Sequence, residues 1–427
     1  MPRYRVARLI LPEHPLHGQS VDIVQEEGVA PRIEAPSQTA LNADAGDKDL
    51  SHATAFAGWW DLQVDFRDPG TERAEGINRG LLVSAQGGFS RVAPVASTQP
   101  CRDQPSDISA LQQRSANHVT GILPVATLTA QRQGIKLTEA HAMVQAGAIG
   151  FSDDTPIERP ELLRRALEYL APLGRPVFSE AHDPAFQPGG MLHEGAVSTR
   201  LGLPGMSVES ELLRLRRDLD ILHYTGGHLH IPVITSAAGL DVIRSAKAQG
   251  LGVTCGTTVH HLCWTDEDLD GFNSDLKLSR PLRTSEDRSA LRAAALDGTL
   301  DVVVSDHRPR TPEEHNVDFV MVLPGISGLH AVGPVLFGAL CDHGASEETA
   351  MLALHALLGA GPRRALGEPA LSTTANHGGP EEFTFFSEKG TLLKSASKSP
   401  NSLYQEGDTG TKGGVVGVVT PRGAHWN

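Results

Sequence analysis

Charged side chains recur at the ends of short strand-like runs in this chain. "DLQVDFRDPG" (61–70) carries Gln63, Asp65 and Arg67, and "GFSDDTPI" (150–157) carries Asp153 and Asp154. "RPVFSEAHD" (175–183) carries Glu180, and "SDHRPR" (305–310) holds Asp306, Arg308 and Arg310. Were Asp65, Asp153, Glu180 and Asp306 to converge, they would form an oxygen-rich cage that suits Mg²⁺ or Mn²⁺ better than zinc. A cation held there could activate water against a carbonyl. Without a cation the acids would repel one another, so Arg308 or Arg310 is expected to fill the space and neutralise them. The same arginines with Arg67 could instead hold an anionic metabolite. In a plainer reading Asp153 and Asp306 are acceptors at strand ends, and Arg67 pairs with a local acid such as Asp306 or Asp68.

The histidines form a weaker pattern. Adjacent His260 and His261 are expected on opposite faces of a strand, which makes them a poor ligand pair. His193, His228 and His343 read as loop or surface residues.

Elements that could position such a site follow a regular alternation from about residue 58. Strand candidates are "GILPVATL" (121–128), "GRPVFSE" (174–180), "HLHIPVIT" (228–235), "GLGVTCG" (250–256) and "LDVVVSD" (300–306), each punctuated by Gly or Pro. Between them, 160–174 places Leu163, Leu167 and Leu170 on one helical face and stops at Gly174, while 208–227 aligns Leu212, Leu215, Leu219 and Leu222. The stretch 284–298 opens on a capping signature and ends at Gly298. Strand and helix alternating over some 300 residues predict a parallel α/β fold. No G-x-G-x-x-G opens a helix after a strand, so a closed (β/α)8 barrel of TIM type is expected rather than a dinucleotide-binding sheet. Residues 1–57 and 369–427 read as short strands and turns that pair into one small β domain flanking a barrel over 58–368.

Composition narrows the function classes. The chain has 427 residues, 40% hydrophobic and 21% charged, with a formal net charge of −14. That charge argues against nucleic acid or an anionic membrane as a main partner. Cys101, Cys255, Cys263 and Cys341 have no C-x-x-C spacing, and free thiols in a reducing cytoplasm are expected. The first residues show no signal-peptide pattern, and no apolar run is long enough to span a bilayer.

Taken together, eight segments resemble dihydroorotase, in the cyclic amidohydrolase branch of the amidohydrolase superfamily. They are 61–70 and 150–157, "LHEGAVSTRLGLPGMSVESE" (192–211), "TGGHLHI" (225–231), "VTCGTTVHHLCWTDEDL" (253–269), "LSRPLRTSEDRSAL" (278–291), "DGTLDVVVSDHRPRTPEEH" (297–315) and "LPGISGLHAVGPVL" (323–336), with "SKSPNS" (397–402) similar to the C-terminal strand region. The resemblance implies a TIM-type barrel with a small β-sandwich from both termini. It also implies a site at the C-terminal strand ends holding one or two zinc ions, and reversible ring closure of carbamoyl aspartate to dihydroorotate.

Carried over residue by residue, the resemblance exposes losses. The four histidine ligand positions of the family fall on Gln63, Asp65, Glu180 and Val233; His182 and His230 are nearby but off register, and His230 is expected to face away from the lumen. One of Asp153 and Asp154 matches the bridging ligand, and Asp306 matches the ligand that is also general base. Arg67 matches the substrate-carboxylate arginine, whereas Ser97, Ser279 and Arg310 stand where the family has asparagine, asparagine and histidine. These losses lead to the expectation of a non-catalytic dihydroorotase-like chain with no zinc, no other cofactor and a vestigial Asp306. Such a chain would serve as a structural subunit for the aspartate carbamoyltransferase catalytic chain in a homo- or hetero-oligomer. The alternatives are an active cyclic amidohydrolase with a rebuilt carboxylate-rich site, and a metabolite-binding regulatory module.

Overall fold

The computed structural model describes residues 1–26, 28–368, 381–405 and 410–427. Strands from both chain ends build one seven-stranded sheet. Its order is Gly423–Trp426, Gly414–Thr420, Phe383–Ser387, Lys48–Ala57, Arg3–Ile10, Val21–Glu26 and Val29–Glu34. Lys48–Ala57 lies parallel to Arg3–Ile10 and antiparallel to Phe383–Ser387, so the two termini are joined by hydrogen bonds in the middle of the sheet. Tyr4, Val6, Leu9, Phe383 and Phe385 form its apolar layer. The expected boundary at 368/369 borders residues 369–380, which lie outside the described residues.

A barrel follows without a linker. Gly58 alone separates Lys48–Ala57 from the first stave, Trp59–Val64. A Cβ on Gly58 would sit 2.4 Å from Ser90 Oγ, so only glycine permits this close passage. A three-stranded and a six-stranded sheet supply the staves. They run Trp59–Val64, Phe89–Pro94, Gly121–Ile122 continuing as Val125–Ala126, Gly150–Phe151, Val177–Phe178, Leu229–Ile231, Val253–Thr258 and Val302–Val304. All pairings between them are parallel, and the Val64–His307 bridge closes the last stave on the first. Alternate residues point inward, and Trp60, Leu62, Phe178, Val302 and Val304 fill the lumen with Ala365 and Leu366 from below.

The helices pack outside by the stripes legible in the sequence. Pro160–Leu170 buries Leu162, Leu163, Ala166, Leu167 and Leu170, and Gly174 closes the following turn at φ 63°. Val208–Thr225 buries Leu212, Leu215, Leu219 and Leu222. Ser285–Asp297 starts from a capping box between Thr284 and Asp287 and ends on left-handed Gly298.

One buried acid ties barrel to sheet. Glu382 accepts hydrogen bonds from Trp60 Nε1 (3.2 Å), Ser90 Oγ (2.8 Å) and Arg91 Nε (2.7 Å). Arg422 and Arg363 stand 3.6 and 3.9 Å away. Burial works against its charge, but Arg91 and Arg363 reverse that and hold its pKa below the usual carboxylate value.

Candidate active site at the barrel mouth

The charged residues gather just beyond the C-terminal ends of the staves, where barrel enzymes carry their chemistry. Asp65 follows Trp59–Val64, Asp154 follows Gly150–Phe151, Glu180 follows Val177–Phe178 and Asp306 follows Val302–Val304. Arg67, Asp154 and Asp306 have φ of 61°, 50° and 43°, three of the six non-glycine residues with positive φ among the described residues. Such backbone is unfavourable and persists where surrounding contacts over-determine it, often at functional sites.

Asp306 is the hub. Its Oδ1 accepts from Gln63 Nε2 and from Arg308 Nε, both at 2.8 Å. Its Oδ2 is 3.8 Å from Arg280 Nη2, beyond hydrogen-bond reach. Arg308 continues to Asp154, placing Nη1 at 3.2 Å and Nη2 at 3.0 Å from its two oxygens. Ser97 Oγ donates to Asp154 Oδ2 at 2.6 Å. Arg280 Nη1 binds Glu180 Oε2 at 2.5 Å. Buried carboxylates ordinarily titrate high; here Arg308, with Arg280, overrides burial and holds both Asp306 and Asp154 below their usual value. For Glu180 burial prevails over the Arg280 contact, and its pKa is raised.

Other positions singled out in the sequence resolve as follows. Asp153 turns away from the cluster: its oxygens accept from Leu128 N (2.9 Å), Thr129 N (3.0 Å) and Thr129 Oγ1 (2.5 Å), so it anchors a loop and Asp154 is the acid in the site. Asp65 Oδ1 caps Arg67 N at 2.8 Å. Arg67 pairs with Glu314 at 2.9 Å and more loosely with Asp65 at 3.7 Å, not with Asp306 or Asp68. Val233 is buried and apolar. Ser279 is half-buried, and its neighbour Arg280 is the side chain that reaches the acids. Of the two arginines expected over the acids, Arg308 takes the place; Arg310 instead directs Nη2 to the Pro324 carbonyl, with its backbone held by Ser399 and Asn401.

Two expectations about histidines need correction. His230 does not face away. It is in register with Phe178, meets that ring edge-on at 5.0 Å and bonds Thr254 Oγ1 at 2.9 Å, on the lumen side. His260 and His261 are not on a strand. They lie in a 3₁₀ turn, Val259–Leu262, where His260 bonds Tyr404 and His261 bonds Thr258 and Pro281. His228 and His193 are half-buried and hydrogen-bonded to Thr254 and Arg283. Arg280 is the member of the cluster that sequence reasoning missed; its one signal is an arginine next to Pro281 in a loop that follows a stave.

The residues present do not fit a zinc ion in this arrangement. Among the described residues no imidazole is hydrogen-bonded to Asp154, Glu180 or Asp306, although His260 lies near enough to Asp306 to help hold its pKa down, and the guanidinium of Arg308 lies between Asp154 and Asp306. Among the described residues no three His, Cys, Asp or Glu side chains are grouped to hold a metal. The donor set alone, carboxylates plus the buried and unpartnered Gln63 Oε1, is of the oxygen type taken by hard cations.

The fold matches barrel hydrolases. L-hydantoinase from Arthrobacter aurescens superposes with a TM-score of 0.79 at 15% identity, covering 97% of this chain and 93% of its own. D-hydantoinase from Thermus sp. gives 0.75 at 14%, covering 99% and 95%. Sequence relatives are more specific. A family model described as Dihydro-orotase-like matches residues 55–238. Dihydroorotase from Syntrophotalea carbinolica is 33% identical over 412 residues, 95% of each chain. Dihydroorotase from Geobacter sulfurreducens is 36% identical over 317 residues, 74% of each. The chain belongs to the dihydroorotase family.

That membership overturns two expectations. Relatives aligned along most of the chain are named for an enzyme, which points away from a non-catalytic protein. The family set out above is zinc-dependent, which counts against a chain with no cofactor. Of the residues at the four histidine positions, Gln63 and Glu180 join Asp154, Asp306, Arg280 and Arg308 in one cluster of hydrogen bonds and ion pairs, while Asp65 pairs with Arg67 and Val233 stays in the apolar core.

Proposed function

We propose that this protein is a cyclic amidohydrolase of the dihydroorotase type, acting at a carboxylate-rich site rebuilt around Asp306. The observation that carries this reading is the 33% identity over 95% of a protein named dihydroorotase. The burial of Asp306 at the end of a stave supports it. In hydrolysis, water adds to the ring carbonyl, the ring C–N bond breaks and the nitrogen gains a proton. Asp306 Oδ1 is engaged by Gln63 and Arg308, so Oδ2 is the atom that takes the water proton and returns it to nitrogen. Arg280 Nε and Nη2 are buried without hydrogen-bond partners and can donate to the developing oxyanion. Arg67 Nε and Arg310 Nε are likewise free to receive a substrate carboxylate.

Turnover measured in both directions by dihydroorotate absorbance tests the reading, after chelation and with Zn²⁺, Mn²⁺ or Mg²⁺ supplied in turn. Turnover that disappears in Asp306→Ala is the expected result. No turnover under any of these conditions overturns it.

We further propose a cytoplasmic assembly with the aspartate carbamoyltransferase catalytic chain, since the two reactions are consecutive. Among the described residues no helix is long and apolar enough to cross a membrane. Tagged protein purified from its own cell should bring the transferase with it in fixed ratio; its absence from the purified complex defeats this assembly.

A further inference from the structure

Arg288 and Arg292 are four residues apart on Ser285–Asp297, so their side chains share one face of that helix. Each commits one donor to the turn packed beside it. Arg288 Nη1 donates to the Cys263 carbonyl at 3.0 Å, and Arg292 Nε donates to the Leu262 carbonyl at 2.7 Å. Among the described residues neither guanidinium has a carboxylate within ion-pair reach, and their other N–H groups have no hydrogen-bond partner. Both border a cavity of about 290 Å³ between this helix and Val332–Asp342, which shares no lining residue with the acid cluster at the barrel mouth. Val335 and Ala339 give the cavity a buried apolar floor, and Trp264 lines it with a buried Nε1 that has no hydrogen-bond partner. The two acids on its wall are already engaged: Asp268 accepts from Thr265 N and Oγ1 at 2.8 and 3.0 Å, and Asp342 pairs with Lys412 at 2.7 Å. Burial, with the Arg288 charge adding to it, holds the Arg292 guanidinium below its ordinary pKa. In a chain of net charge −14, two unneutralised cations over one cavity form a local field that an anion would relieve.

We propose that this cavity binds a small organic phosphate monoester, held by Arg288, Arg292 and Trp264. A phosphate monoester carries close to two negative charges at neutral pH and three strong acceptor oxygens. It meets two guanidiniums and one indole N–H here, so charge and donor number both match. Guanidinium forks bind such an oxyanion through charge-assisted hydrogen bonds, with a geometry that a point charge does not supply. Val335 and Ala339 receive the organic body. The cavity lies at the lower end of ordinary ligand pockets, about 300–1,000 Å³, so that body is a single ring or a few carbons. The site stands apart from the proposed reaction and does not rest on it.

Isothermal titration calorimetry of the full chain with phenyl phosphate tests it, with benzoate and inorganic phosphate titrated for comparison. The variants are Arg288→Gln, Arg292→Gln and, as a control at the barrel mouth, Arg67→Gln/Arg310→Gln. The expected result is one phenyl phosphate per wild-type chain, bound at least about tenfold more weakly by Arg288→Gln and by Arg292→Gln and equally well by the mouth control. About tenfold corresponds to about 1.4 kcal/mol, close to the worth of one hydrogen bond to a charged group. Wild type should bind benzoate and inorganic phosphate more weakly than phenyl phosphate, since one lacks the second charge and the other the organic body. No saturable binding by wild type, equal affinity in wild type and the Arg288 and Arg292 variants, or a loss in the mouth control as large as theirs overturns the proposal. Benzoate or inorganic phosphate binding as tightly as phenyl phosphate overturns the ligand class. Should the variants fail to fold, wild-type crystals soaked in phenyl phosphate decide. Phosphate density between Arg288 and Arg292 supports the site, and density only elsewhere, or none, refutes it.

Discussion

The Arg308 guanidinium reaches the Asp154 carboxylate with Nη1 at 3.2 Å and Nη2 at 3.0 Å while its Nε holds Asp306 at 2.8 Å. Two acids that follow different staves are thereby clamped by one planar fork, a geometry lysine cannot reproduce.

Removing that fork should be costly. The Arg308 side chain is 13% exposed and Asp154 7%, so Arg308→Ala strands two nearly buried carboxylates. Breaking a buried pair from one side typically costs about 3–5 kcal/mol. Urea unfolding should show a loss in that range for Arg308→Ala. Arg308→Lys should recover part of it. A loss under about 1 kcal/mol for the alanine variant would show that the clamp contributes little.

Asp306→Asn should abolish turnover while leaving the chain folded, because the amide keeps an acceptor for Gln63 and Arg308 but cannot take a proton from water. Rates from Asp306→Asn within about tenfold of wild type would assign the base elsewhere. Circular dichroism of the same sample separates loss of chemistry from loss of fold.

Stability should fall on mild acidification, and the buried histidines set the sign. Burial holds His230 and His261 down to about 3, and His260 and His330 down to about 4. In the unfolded chain an imidazole titrates near about 6.5. Between pH 6.5 and 4 the unfolded state therefore binds protons that the folded state refuses. Each such histidine removes about 1.4 kcal/mol per pH unit within that window. Asp154 and Asp306, whose pKa values are depressed, add losses only below about pH 4, whereas Glu180, raised, opposes the trend. Urea midpoints at pH 7.5, 6 and 5 should decline steadily, and a flat profile contradicts this account. His230→Gln should make the decline shallower by about one proton.

Glu382→Gln should weaken the joint between barrel and terminal sheet. The acid is 1% exposed and faces Arg91, Arg363 and Arg422. Neutralising it leaves three guanidiniums near one another beneath Trp60, which Arg363 stacks at 4.0 Å. A loss of about 3 kcal/mol in thermal or urea unfolding is expected, with turnover unaffected at temperatures where the variant is folded. An unchanged midpoint would show that the arginines find other partners.

Local rules carried the frame of this protein. Leucine spacing over 160–174 and 208–227, the Thr284–Asp287 cap and the Gly174 and Gly298 stops are short-range signals, and helices form where they say. The ordered run of family segments placed the acids at stave ends through the resemblance, and the structure has Asp154, Glu180 and Asp306 there. What lay out of reach depended on meetings between distant residues. Adjacent Asp153 and Asp154 are equivalent in sequence; the left-handed turn at Asp154 sends one acid to Thr129 and the other to Arg308. Arg308 and Arg310 are two apart, yet only one reaches the acids, because Ser399 and Asn401 hold the backbone at Arg310 and the Pro324 carbonyl takes its guanidinium. Arg280 comes to Glu180 from 100 residues away. His230 turned inward because its register with Phe178, not its offset from Val233, chooses the face. Sequence determines which residues a strand can present. Barrel closure, loop register and competition for buried charge decide which of them meet.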